Sequence, residues 1–153
     1  MMKVIKVASL GVVALLSSFA ANAADSLLRY ESHYSVQETA DRFASIAQSK
    51  GLNVFARIDH QKNAEGAGLS LRPTQVILFG NPKVGTPLMK CAQDVAIDLP
   101  QKALISEDAN QKVWLSFNNP EYLKERHHIQ GCDAVIKKIS GVLNKLGSAA
   151  TAK

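Results

Sequence analysis

Thr74-Gln75-Val76-Ile77-Leu78-Phe79-Gly80-Asn81-Pro82-Lys83-Val84-Gly85-Thr86-Pro87-Leu88-Met89 changes character twice. Thr74 to Phe79 is apolar and β-branched without alternation, the pattern of a central strand covered on both faces. Gly80 to Gly85 reads as a tight loop. Thr86-Pro87 then starts a helix, with Thr at the N-cap and Pro at the first helical position. The face of that helix is Leu88, Cys91, Ala92 and Val95. A strand running through glycines into a helix N-terminus presents free N–H groups and a positive dipole end to an anion, and Lys83 adds charge. The segment is therefore a candidate site for a small anionic or polar ligand, or else a structural turn. It is not a phosphate-binding G-x-x-x-x-G-K-[ST] loop: Gly85 is followed directly by Thr86, and Pro87 removes a donor.

Upstream, Leu27 to Tyr34 reads as a strand. Ser35 and Glu38 form a capping box before a helix whose apolar face is Val36, Ala40, Phe43, Ala44 and Ala47. Lys50-Gly51 stops it. Val54, Ala56 and Ile58 alternate with Asn53, Arg57 and Asp59, predicting a half-buried strand that ends at His60, and polar Gln61 to Arg72 is a loop or one weak helical turn. Downstream, Ala103–Ser106 and Lys112–Asn118 are strands joined by an Asp- and Asn-containing turn. In the second, Val113, Leu115 and Phe117 share one side. Asn119-Pro120 opens a last helix that breaks near Gly131 and resumes through Val135, Ile139, Val142, Leu143 and Leu146, leaving 147–153 as a frayed tail. The order β-α-β-β-α-β-β-α predicts an α+β domain over 24–146, an antiparallel-rich sheet with helices packed on it.

Residues 1–23 have the three parts of a cleavable secretory leader: Lys3 and Lys6, an apolar run from Val7 to Ala20, and Ala21-Asn22-Ala23. The run is short of the ~20 residues that span a bilayer, and nothing later in the sequence is long and apolar enough, so the expected product is periplasmic or secreted. Loss of the leader takes the basic count from 18 to 16 against 13 acidic residues, a net of +3. With no basic run and no aromatic–basic interleaving, a nucleic-acid partner has no support. Cys91 and Cys132 sit on core-facing stripes in a chain bound for an oxidising compartment; a bridge or two buried thiols are both open. There is no C-x-x-C for redox chemistry or haem attachment.

No catalytic signature stands on its own. His127 and His128 are adjacent, so they cannot share a helix face as an i,i+4 metal pair does. No G-x-S-x-G elbow presents a nucleophile. No cofactor is implied.

The string Phe79 to Met89, followed by Asp98-Leu99-Pro100-Gln101-Lys102, Glu107-Asp108, Asn118-Asn119-Pro120-Glu121-Tyr122-Leu123 and Arg126-His127, resembles the successive motifs of the "domain of unknown function 302" family, across most of 27–146. That resemblance implies a compact α+β domain, a homodimer and no assigned reaction. If the family shares a ligand site, its motif positions here are His60, Asn81, Lys83, Thr86, Asp98 and His127; otherwise they serve as turns and caps. Three functional expectations follow: a non-catalytic module binding an unknown small ligand or a partner, an enzyme or metalloprotein centred on His60, Asp98 and His127, or a structural envelope-stress protein stiffened by a Cys91–Cys132 bridge.

Overall fold

The computed structural model describes residues 25–153; the leader expected at 1–23 lies outside them. Five antiparallel strands form one sheet in the order β1-β5-β4-β3-β2, with β1 Leu27–Ser32, β2 Asn53–Asp59, β3 Thr74–Gly80, β4 Gln101–Glu107 and β5 Val113–Asn118. Helices α1 (Val36–Ser49) and α5 (Asp133–Thr151) pack side by side on one face. Short helices α2 (His60–Gly66), α3 (Pro82–Cys91) and α4 (Pro120–Arg126) and a 3-10 helix (Gln93–Asp98) fill the connections. The α+β class and antiparallel sheet expected from the sequence are the ones observed.

The core lies between the sheet and α1/α5. Phe43 of α1, Phe79 of β3 and Phe117 of β5 meet there, with ring centroids 4.8, 5.7 and 6.0 Å apart. Such pairs each add about 0.5–1.5 kcal/mol beyond the area they bury. Val113, Leu115 and Phe117 share the buried side of β5, and Ser35 and Glu38 exchange the two hydrogen bonds of a capping box at α1.

Four local expectations are corrected. First, β3 is not covered on both faces: Gln75, Ile77 and Phe79 are buried, while Val76 and Leu78 are half-buried on the face opposite the helices. An unbroken apolar run such as Val76 to Phe79 cannot by itself distinguish these cases. Second, Val54, Ala56 and Ile58 do not share a face. A register shift between Val54 and Ala56 inserts Phe55 as a bulge, so Val54 pairs with buried Phe79, whereas Ala56 and Ile58 pair with Leu78 and Val76 on the other face. Third, Gln61–Arg72 holds a helix, α2, capped by Asp59, whose carboxylate accepts from Lys62 N–H at 3.0 Å. Its side chains are not buried, so no apolar periodicity could reveal it.

Fourth, 147–153 is not a frayed tail. α5 runs to Thr151, and Gly147, Ala150 and Thr151 are buried. Glycine is required at 147: a Cβ there would stand 2.5 Å from Tyr30 Cδ2. The Arg42 guanidinium donates to the carbonyls of Ala150 (3.0 Å), Ala149 (3.3 Å) and Ala152 (3.0 Å) while lying over the Tyr34 ring. A cation from α1 thus supplies the C-terminal capping that α5 lacks in its own last turn.

The β4–β5 turn provides a pH reporter. Asp108 accepts from Asn110 N–H (2.8 Å), Lys112 N–H (3.0 Å) and the indole N–H of Trp114 (2.9 Å), the chain's one tryptophan. These bonds, the indole's foremost, hold its carboxyl below the ordinary aspartate value of 3.8. A depressed folded pKa contributes stability above the unfolded value that is lost as pH falls through the folded one. We expect Trp114 emission to be constant from neutral pH to about 4 and to shift with a midpoint below 3.8. Asp108→Asn should abolish that transition, as measured by a fluorescence pH titration.

Candidate functional site

β3 ends at Gly80, and the chain enters α3 without the loop expected over 80–85. Asn81, not Thr86, is the N-cap: its side-chain oxygen accepts from Lys83 N–H at 2.9 Å and Pro82 takes the first helical position. Asn81 Nδ2 also donates to the Gly51 carbonyl at 3.4 Å, tying this start to the end of α1. Asn-Pro and Thr-Pro carry the same cap signal five residues apart, and the first one acts; Pro87 lies inside the helix. The chain returns through the 3-10 helix and a cis Leu99–Pro100 bond into β4 at Gln101.

This detour leaves a pocket of about 290 Å³ at the end of the sheet. Val84 and Met89 of α3 form one wall, Ala96 and Leu99 of the returning segment a second, and Val142 and Leu143 of α5 a third. Phe79 belongs to both core and pocket, and the β2 bulge places Phe55, 51% exposed, on the rim. Gly85 also lines it; an added Cβ there would meet Leu99 Cδ1 at an ordinary 3.7 Å. The lining is apolar except for the side chains of Asn81, Gln101 and Lys138.

Gln101 is the anomaly. It is only 7% exposed, and neither its Nε2 nor its Oε1 has a hydrogen-bond partner. Since both ends of the carboxamide are orphaned, its orientation does not matter. Leaving a buried polar group unpaired costs about 1–3 kcal/mol. Of the described buried side chains, this is the one left so.

Two links hold the α3/3-10 wall in place. A disulfide joins Cys91, at the end of α3, to Cys132, at the start of α5, which settles the open alternative of free thiols. Cys132 is buried as expected; Cys91 is exposed at the surface. Asp98 Oδ2 lies 2.5 Å from His127 Nε2 and 3.5 Å from Arg126 Nε, fixing the end of the 3-10 helix to α4. Lys102 Nζ donates to the Asp98 carbonyl at 3.2 Å.

The six expected site residues therefore divide. Asn81 lines the pocket, while Lys83 and Thr86 are exposed on α3 and do not. Asp98 and His127 pair with each other behind the wall. His60 follows Asp59, which pairs with Gln75 at the opposite end of β3 from Phe79 and Gln101, about 13 Å away along the strand. Among the described residues no three His, Cys, Asp or Glu side chains gather as a metal-holding group. A strand starting at Ala103 leaves Gln101 outside it; extending its alternation two residues back puts Gln101 on the buried row of Ala103 and Ile105.

The fold and this pocket define a two-layer α+β domain with one helical face and an apolar cavity at the sheet end. The chain belongs to the family described as "Domain of unknown function DUF302", whose model matches residues 28–146. The crystal structure of an uncharacterised conserved DUF302 protein from Bacillus stearothermophilus shares the fold, with a TM-score of 0.66 at 17% identity over 82% of this chain and 94% of that one. A different kind of relative is the "Fluoride-specific ion channel FluC 1" of Brucella suis, 48% identical over 103 residues, which are 67% of this chain and 41% of the channel protein. The protein of the same name from Brucella abortus matches equally over 38% of its length. The matched stretch thus accounts for about two-fifths of those proteins.

Proposed function

We propose that this domain is an exported, non-catalytic module that binds a small, largely apolar molecule in the pocket between α3 and α5. The observation that carries this reading is the cavity itself. It is about twice the ~150 Å³ of an apolar cavity that binds benzene, and its volume is about 290 Å³. It therefore suits a ligand of roughly 12 non-hydrogen atoms. At about 0.5 kcal/mol per atom, within the usual range, such a ligand binds with a dissociation constant on the order of tens of micromolar. Export rests on the leader at 1–23, and the bridge suits an oxidising compartment. A homodimer, implied by the family resemblance, belongs to the same proposal and is tested by light scattering of the mature protein.

Fluoride conduction is not carried over. It is named for proteins more than twice as long as the shared stretch, and no helix among the described residues of this chain is long and apolar enough to cross a membrane.

The test fills the pocket from within. Val142→Phe adds an aromatic ring to the α5 wall. Calorimetric titration with isopentylbenzene should give micromolar binding to the parent protein and at least a tenfold loss in the variant, with unfolding midpoints compared as a control. Equal binding by the two proteins would place the ligand elsewhere and refute the reading.

A further inference from the structure

We infer that the ligand of this pocket carries an uncharged carboxamide or lactam group, recognised by Gln101. The inference rests on the pocket being a ligand site and adds the chemistry of the ligand. Three observations combine. Gln101 is part of the pocket lining. Its side chain is more than nine-tenths buried, and both its donor and its acceptor lack partners. The rest of the lining offers little else that is polar: Asn81 spends its carboxamide on Lys83 N–H and the Gly51 carbonyl, and Lys138 lies exposed.

A primary carboxamide has an NH₂ donor and a carbonyl acceptor side by side. Its complement is a group that presents an acceptor and a donor on the same edge. A carboxamide or lactam does so and forms two hydrogen bonds at once. A carboxylate offers only acceptors, so it would satisfy Nε2 and press a negative oxygen against Oε1. An amine would reach only Oε1. A hydrocarbon would leave both orphaned. Gln101 sits in the wall with Nε2 and Oε1 both covered, so recognition takes a change of χ1 or χ2 that swings the carboxamide to the lumen, after which its broad χ3 torsion sets the edge that meets the ligand. A site built to pair a polar group rejects the analogue that lacks it far more strongly than an apolar pocket rejects a methylene.

The experiment compares three probes of similar size on the mature protein at neutral pH: 3-phenylpropanamide, 3-phenylpropanoate and isopentylbenzene. Affinities are measured by calorimetry on the parent protein and on Gln101→Met, which keeps the side chain's length without its polar atoms. The amide should bind the parent at least tenfold more tightly than either companion. In Gln101→Met that preference should disappear, and the hydrocarbon should bind as well as the amide or better. A second readout does not depend on any probe. Relief of the orphaned carboxamide should raise the thermal midpoint of ligand-free Gln101→Met by about 3–6 °C.

The outcomes separate the two claims. If the hydrocarbon binds the parent as tightly as the amide, the inference falls while the pocket stands. If the carboxylate binds most tightly, a charged head read by Lys138 replaces it. If the amide preference persists in Gln101→Met, another residue makes the recognition. If none of the three binds, the ligand-site reading itself fails.

Discussion

Removing the Cys91–Cys132 bridge should lower stability by about 4 kcal/mol. The two cysteines are 41 residues apart, and closing a loop of that length in the unfolded chain is worth about 4 kcal/mol in the chain-entropy model. Against the 5–15 kcal/mol typical of a whole domain this is a large share. The bridge also has a local role, because it fastens the end of α3 to the start of α5, and those two helices supply facing walls of the pocket. The expected result is a lower denaturant midpoint for the Cys91→Ser/Cys132→Ala protein, together with weaker binding of isopentylbenzene. In the parent protein a reductant should reproduce both effects and reoxidation should reverse them. An unchanged midpoint under reductant would mean that the bridge constrains nothing.

Deleting residues 147–153 should cost roughly 2–4 kcal/mol, the worth of a buried apolar contact and several charge-assisted hydrogen bonds. The deletion takes away Ala150 and Thr151 from the interior and the three carbonyls that receive the Arg42 guanidinium. It also strands Arg42 against Tyr34 and uncovers Tyr30, whose ring lies against Gly147. A chain ending at Leu146 should thus unfold at a clearly lower urea concentration. A true frayed end would shift the midpoint by a few tenths of a kcal/mol at most. Arg42→Ala in the full chain should reproduce part of the loss, which separates capping from packing.

These two regions show why some of the molecule could be read from its residues and some could not. Ser35 with Glu38, and Asn119 with Pro120, are local signals whose partners lie within four residues, and both act as expected. The alternation of Val113, Leu115 and Phe117 reports a face directly. Gly147-Ser148-Ala149-Ala150 gives no such signal, because its smallness is a fit to Tyr30 and its cap comes from Arg42, more than 100 residues away in sequence. The bulge at Phe55 leaves only a faint mark: apolar Val54-Phe55-Ala56 interrupts the alternation, and nothing local says that the face reverses there in space.

The site was legible only at its edge. Gly80 to Thr86 reads either as an anion-binding loop or as a structural turn with caps; Asn81 takes the cap role, Lys83 faces solvent, and the segment builds one wall of an apolar pocket. Asp98 and His127 were grouped from motif order and do meet, but as a link behind the wall. The cavity arises from elements brought together by folding, with Val84, Leu99 and Val142 each unremarkable in its own neighbourhood. Gln101 becomes conspicuous only when its buried carboxamide is found without a partner.

The most direct test of the pocket as a ligand site is amide chemical-shift mapping of the ¹⁵N-labelled protein over residues 24–153 during titration with isopentylbenzene. The expected result is saturable shifts confined to Leu52–Phe55, Phe79–Met89, Ala96–Gln101 and Lys138–Leu143, the segments that line the pocket. Shifts centred on exposed Ile58, Leu69 and Leu71, or no saturable shift at all, would contradict it.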